Sequence, residues 1–182
     1  MKVIRLKNIS NDYFQMAWNL YEDAFPPEER KSLNDQTYVL QNENYHFDIF
    51  LMDTNQFIGF ILWWDFESYI YIDHFATVKK QRNKGLGNLI LNKIIDNNDK
   101  PILLEVELPT SSINERRIKF YKRIGFKINQ HYYDIPISKS HQSRLQLLLM
   151  SYPNLISKNE IEQFIENFHP IIFKTKKNDT GN

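Results

Sequence analysis

Cysteine is absent from this 182-residue chain, which excludes disulfides, thiolate metal ligands and a cysteine nucleophile. A reducing compartment fits that absence. No excess of one charge exists either: 23 Lys and Arg stand against 22 Asp and Glu, a formal net charge of +1. Nucleic-acid binding usually shows as a basic excess, so that class has no support. Long hydrophobic runs are missing too. The longest, residues 57–64, falls far short of the ~20 residues that span a bilayer. The segment Met1-Lys2-Val3-Ile4-Arg5 turns polar again by Asn8, too soon for a signal peptide. These absences lead to the expectation of a cytoplasmic protein with no membrane or nucleic-acid partner. No internal repeat and no low-complexity linker break the chain. One domain is therefore expected over residues 1–173, followed by a disordered polar tail, KTKKNDTGN, over 174–182.

Apolar residues are present in ordinary proportion, 42 %, with 13 Phe, 10 Tyr and 3 Trp available for a core. Residues 2–6 read as a first strand. Phe14, Ala17, Leu20, Tyr21, Ala24 and Phe25 recur at helical spacing over residues 11–25, and Pro26-Pro27 stops that helix for want of backbone donors. A second helix is expected over residues 28–41. Residues 46–52 alternate, with Phe47, Ile49 and Leu51 on one face; Asp53-Thr54-Asn55 turns, and residues 56–65 return as a hairpin partner. Trp63 and Trp64 are expected to pack in the sheet, with one ring lining an acceptor cleft. A strand over residues 69–77, a helix over 89–95 and a strand over 102–108 form a unit expected to be a parallel crossover. Ser112-Ile113-Asn114-Glu115 has the form of a capping box, opening a helix that ends at Gly125, a natural C-cap. Strands over 126–137 and 145–150, a terminal helix over 160–167 and a last strand over 171–173 complete the expectation. The order predicts an α/β fold with a mixed central sheet of six to seven strands flanked by helices.

The chemistry concentrates in Arg82-Asn83-Lys84-Gly85-Leu86-Gly87-Asn88, which runs from a strand into a helix. Gly85 and Gly87 permit positive φ and close approach of a ligand to the backbone. A helix start offers unpaired N–H groups and a positive dipole end, suited to a pyrophosphate, and Arg82 and Lys84 add charge. On its own, such a turn is equally well a structural one. It is neither a Walker motif, having no Gly-Lys-Ser/Thr, nor a Rossmann fingerprint, having no third glycine at the required spacing.

Arg82-x-x-Gly85-x-Gly87 matches the Arg/Gln-x-x-Gly-x-Gly/Ala signature of the GNAT acetyltransferases. The approach strand His74-Phe75-Ala76-Thr77 resembles that family's central strand. Phe120-Tyr121-Lys122-Arg123-Ile124-Gly125-Phe126 resembles its aromatic-Tyr-x-x-x-Gly-Phe segment. The chain departs from the pattern in two places. Val78-Lys79 stands where the loop usually opens with Asp-Pro, and Glu115-Arg116-Arg117 stands where a small or aromatic residue is common.

The resemblance implies acetyl-coenzyme A as cosubstrate, with no metal, and an amine acceptor attacking the thioester directly. It implies a splayed parallel pair of strands around the cofactor. Phe75, Ala76 and Thr77 would pair through their backbones with the pantetheine arm. Arg82, Asn83, Lys84, Gly85, Leu86, Gly87 and Asn88 would hold the pyrophosphate, and Asn114 would add a polar contact. Tyr121 becomes the candidate acid for the departing thiolate; the plain structural alternative is a core aromatic. The base is open. Glu105 and Glu107 alternate with apolar residues and share one face of their strand, where like charges can raise one pKa; an ion pair with Arg116 or Arg117 is the structural alternative. Asp73 and His74, expected on opposite faces, are the other candidates. With Glu67, these carboxylates predict an acidic acceptor cleft. His46, His131, His141 and His169 do not share ligand spacing. A monomer or homodimer is expected, and a non-catalytic acyl-coenzyme A-binding module is the alternative to an enzyme.

Overall fold

A computed structural model of the chain describes residues 1–131, 133–137 and 140–174, so the expected tail lies outside the described residues except for Lys174. The chain divides into two units, residues 1–102 and 103–182.

In the first unit, strands β1 (Lys2–Leu6), β2 (Tyr45–Leu51), β3 (Phe57–Asp65) and β4 (Ile70–Thr77) form an antiparallel meander. Helix α1 (Phe14–Ala24) turns Phe14, Ala17, Trp18 and Tyr21 inward. Phe14 meets Phe47 edge-on at 6.0 Å, and Tyr21 meets Phe60 at 6.1 Å. The alternation seen in the sequence of β2 does not mean that one face is wet: every residue of β2 is buried. Asp48 is tolerated there because Arg5 grips it twice, at 2.8 and 2.9 Å, and the Trp63 indole N–H donates to it at 2.8 Å, so the buried charge is both paired and hydrogen-bonded. Trp63 and Trp64 are both buried sheet residues, as expected.

Helix α2 is shorter than its sequence suggests, spanning Leu33–Val39. Ser32 caps it by accepting from the Asp35 N–H at 3.1 Å, and residues 28–31 instead form a turn whose Lys31 N–H donates to the Tyr21 hydroxyl at 2.9 Å. After β4 come a single 3-10 turn, Lys79–Gln81, and helix α3 (Leu86–Ile95). The Ile70 N–H donates to the Pro101 carbonyl at 2.9 Å, so the chain leaves α3 and sets out again beside the start of β4, as a crossover requires.

The second unit opens with β5 (Ile102–Glu107) and α4 (Ser112–Ile124). The cap of α4 is Ser111 rather than Ser112: the Ser111 side chain accepts from the Asn114 N–H at 3.2 Å. Gly125 ends the helix in the left-handed region, at φ 114°, as its sequence predicts. The expected strand over 126–137 is instead two, β6 (Lys127–Ile128) and β7 (Asp134–Ile137), both antiparallel to the long β8 (Ser140–Tyr152). Buried Asn129 breaks it, donating to the Leu149 carbonyl at 3.2 Å and accepting from the Ile156 N–H at 3.0 Å. The described residues thus hold eight strands rather than six or seven. Helix α5 (Lys158–Ile172) carries a complete capping box between Ser157 and Glu160 and runs through Pro170. The strand expected at 171–173 does not form; burial of Ile172 and the Phe173 N–H bond to the His169 carbonyl at 2.9 Å keep the last turn helical.

Candidate functional site

In the first unit, Phe75, Ala76 and Thr77 form the end of β4, opposite Ile61, Phe60 and Gly59 of β3. Gly59 is obligatory there: a Cβ on it would lie 2.4 Å from the Ala76 carbonyl oxygen and 3.1 Å from the Thr77 Cα. The sequence reading missed this glycine, whose only signal is a small residue in an otherwise bulky strand. Beyond β4, Arg82 folds back, its Nε donating to the Thr77 carbonyl at 3.4 Å, while Lys84 donates to Gln81 at 3.0 Å. Asn83 and Gly85 take positive φ, 63° and 75°. Gly87 does not; it lies in the first turn of α3. Helical bonding begins with the Leu89 N–H on the Gly85 carbonyl, at 3.2 Å. The N–H groups of Leu86, Gly87 and Asn88 precede it, and glycine at the cap offers them no side chain. Arg82, Asn83, Lys84 and Gly85 are exposed around this helix start.

The β3–β4 register skips one residue, with Leu62 opposite His74 and Trp63 opposite Ile72. Asp73 is the extra residue of this bulge. The bulge overturns the expectation that Asp73 and His74 face opposite ways: the Asp73 carboxylate lies 2.9 Å from His74 Nδ1, as a charge contact outside hydrogen-bonding alignment. Lys31 donates to the same carboxylate at 2.6 Å. Burial pushes Asp73 up, but the Lys31 ammonium and then the His74 ring outweigh it and hold the carboxyl well below the usual range. An acid held so firmly ionised is a poor base. His74 is itself buried, its Nε2 3.1 Å from the Glu29 carbonyl and its ring edge-on to Tyr21 and Phe25.

In the second unit, Glu105 and Glu107 of β5 are half-buried and have different partners. Glu107 is paired with Arg117, the structural alternative foreseen for it. Glu105 accepts from the Tyr133 hydroxyl, and that hydroxyl lies 2.6 Å from His169 Nε2. Tyr133 and His169 carried no signal in the sequence: they stand 28 and 64 positions from Glu105, in a loop and on the last helix. Asn114 donates to the Leu108 carbonyl at 3.1 Å, bracing the turn between β5 and α4. Tyr121 is buried on α4, its ring against Phe120 and Phe126. Its hydroxyl has no hydrogen-bond partner among the described residues. Burial pushes its pKa up to about 12, with Arg117 lowering and Glu107 raising it.

The acidic cleft foreseen from four carboxylates loses Asp73 to Lys31 and Glu107 to Arg117, while Glu67 is exposed. Among the described residues, no group of three or more His, Asp or Glu is placed to hold a metal ion, and no helix is long and apolar enough to cross a membrane.

Comparison with known proteins agrees with this geometry. Residues 8–126 match the model of the Acetyltransferase (GNAT) family. The protein YjbC of Bacillus subtilis (strain 168) is 32 % identical over 162 residues, which cover 83 % of this chain and 81 % of YjbC. A solved structure of a GNAT-family protein from Bacteroides thetaiotaomicron superposes with a TM-score of 0.87 at 31 % identity, over 97 % of this chain and all of the other. An aminoglycoside 6'-N-acetyltransferase solved with coenzyme A shares the fold, at a TM-score of 0.61 and 14 % identity over 87 % of this chain and all of the other. This chain belongs to the acetyltransferase (GNAT) family.

Proposed function

We propose that this chain transfers the acetyl group of acetyl-coenzyme A to an amine by direct attack in a ternary complex. The observation that carries the reading is the start of α3. Three successive backbone N–H groups precede its first helical bond, behind a left-handed glycine and beside Arg82 and Lys84. Backbone donors, a helix dipole and two cations suit the pyrophosphate of the cofactor. The open space around Gly85, with no atom within 4 Å of a Cβ placed there, leaves room for it. On this reading Phe75, Ala76 and Thr77 offer their backbone to the pantetheine arm.

Tyr121 serves the leaving group. A phenol pushed up to about 12 is a weaker acid than a thiol near 8.5, so it cannot hand its proton downhill to the thiolate. Tyr121 is therefore a hydrogen-bond donor to the sulfur as negative charge gathers there, not a complete proton donor. The atoms still balance. The neutral amine adds to the carbonyl carbon, the C–S bond breaks, coenzyme A leaves as a thiolate, and the amine's protons go to a base or to water. The base assigned here is Glu105, half-buried on β5.

The cofactor site is tested by thermal shift. Acetyl-coenzyme A should raise the melting temperature of the wild type. Gly85→Asp, which sets a negative charge in the cradle, should abolish the shift while the apo protein still melts cooperatively. A Gly85→Asp protein with wild-type affinity would remove the pyrophosphate from this loop.

A further inference from the structure

We propose that Arg117 and Glu107 are positioning residues for Tyr121: Glu107 holds the Arg117 guanidinium one helical turn before the phenol, where the positive charge favours donation to the leaving sulfur. The proposal rests on the reading of Tyr121 as that donor. All three residues belong to the second unit. Glu107 ends β5, while Arg117 and Tyr121 stand on α4. Four positions apart on a helix, the two side chains are neighbours on one face. Asn114, three positions before Arg117 on that face, donates to the Leu108 carbonyl at 3.1 Å and ties the start of α4 to the end of β5. Of the two adjacent arginines, Arg116 is exposed, whereas Arg117 is part-buried and paired with Glu107. Arg117 is also one of the positions at which this chain departs from the family pattern, so the pair sets a cation where a small or aromatic side chain is common.

Charge is what the pair brings to this place. The Arg117 and Glu107 side chains are 36 % and 30 % exposed, and an ion pair that wet adds little to stability. Tyr121 is 7 % exposed, and a buried hydroxyl feels a nearby charge with less screening. Burial pushes the phenol up; the guanidinium opposes that push and the carboxylate adds to it, with the guanidinium the stronger of the two. The pair therefore acts on Tyr121 as a cation that is only partly cancelled. Among the described residues, these are the charged groups that act on the hydroxyl. Lys122 and Arg123, next along α4, are exposed, and Tyr152 of β8 lies against Phe126, their centroids 5.5 Å apart.

As Tyr121 donates to a sulfur that is gaining negative charge, its proton is drawn away and its oxygen gains charge too. A fixed guanidinium nearby stabilises that redistribution without having to reorganise. The pair makes and breaks no bond. The C–S bond still breaks with coenzyme A leaving as the thiolate, and no proton passes to Arg117 or Glu107.

The test is a single-turnover comparison. Arg117→Gln removes the cation and should slow the chemical step about tenfold, whereas Arg117→Lys keeps the charge and should stay within about threefold of the wild type. Glu107→Gln keeps an acceptor for Arg117 and removes the opposing charge, so it should react about two- to threefold faster. In the Tyr121→Phe background, neither Arg117→Gln nor Glu107→Gln should change the rate. A structural role would slow both variants, with or without the Tyr121 hydroxyl, and that result overturns the proposal. Spectra of ¹³Cζ-labelled tyrosine supply a readout that needs no turnover. At the highest pH where all three proteins still melt cooperatively, the ionised fraction of Tyr121 should be larger in Glu107→Gln than in the wild type, and smaller in Arg117→Gln. Equal fractions would show that the pair does not act on the phenol and would overturn the proposal as well. A wild type that acetylates no amine defeats the acetyltransferase reading and this role with it. Wild-type rates in Tyr121→Phe defeat the donor reading. A slow Tyr121→Phe beside an unslowed Arg117→Gln defeats the pair alone.

Discussion

A buried phenol with its pKa pushed up to about 12 stays protonated at every pH where the enzyme would be assayed. Tyr121→Phe removes the hydroxyl and keeps the packing against Phe120 and Phe126. Single-turnover rates should fall by about 10²–10³-fold, the scale of losing one preorganised donor. Acetyl-coenzyme A affinity should hardly change, and no limb below about pH 11 should disappear, because the phenol does not ionise there. Wild-type single-turnover rates would return Tyr121 to the core. Asp73 makes the opposite kind of prediction. Its folded pKa lies well below its unfolded one, so the stability it adds is complete above the ordinary value near 4 and drains away as pH falls below that value and through the folded pKa. Asp73→Asn leaves the Lys31 ammonium without its partner and should cost about 3–5 kcal/mol near neutral pH. Its urea midpoint should then depend less on pH, between about 6 and 3, than that of the wild type. A variant as stable and as pH-dependent as the wild type would show that Lys31 and Asp73 are not coupled.

The strand end at residues 75–77 is set from behind by Gly59, which allows β3 to approach β4 closely. Gly59→Ala forces a Cβ toward the Ala76 carbonyl oxygen, 2.4 Å away in the present geometry. Backbone must shift, at about 1–3 kcal/mol, and the shift falls on residues assigned to the pantetheine arm. Acetyl-coenzyme A affinity should drop along with stability, which isothermal titration against the wild type would reveal; unchanged affinity would detach β4 from cofactor binding. Strands and helices with a strong period, such as α1, α3 and β4, were legible in the sequence because their apolar spacing has one solution. The Arg82 loop and Gly125 were legible because glycine at a helix end has a specific backbone use. The β4 bulge was not, since nothing in Ile72-Asp73-His74 marks an extra residue; the register is decided by the partner strand. Asn129 splitting one strand into two was hidden for the same reason: its side-chain hydrogen bonds reach residues 20 to 27 positions away.

At the scale of the whole molecule, the family was legible from two motifs in the right order, while the surroundings of its carboxylates were not. Glu105 and Glu107 look alike on β5, and only the tertiary fold gives one an arginine and the other a tyrosine backed by histidine. Aromatic and acidic residues far apart in sequence define that difference, so local pattern is blind to it. The acceptor is equally unmarked, because two of the four carboxylates that suggested a cationic amine are held by cations of the chain itself. The central claim is turnover itself. The wild-type chain should be incubated with acetyl-coenzyme A and a panel of amines covering peptide N-termini, lysine, polyamines and aminoglycosides, with products identified by mass. The account predicts at least one amine that gains a single acetyl group as an equal amount of free coenzyme A appears, with the rate lost in Tyr121→Phe. Tight acetyl-coenzyme A binding with no acetylated amine in any class would contradict it and leave a coenzyme A-binding module.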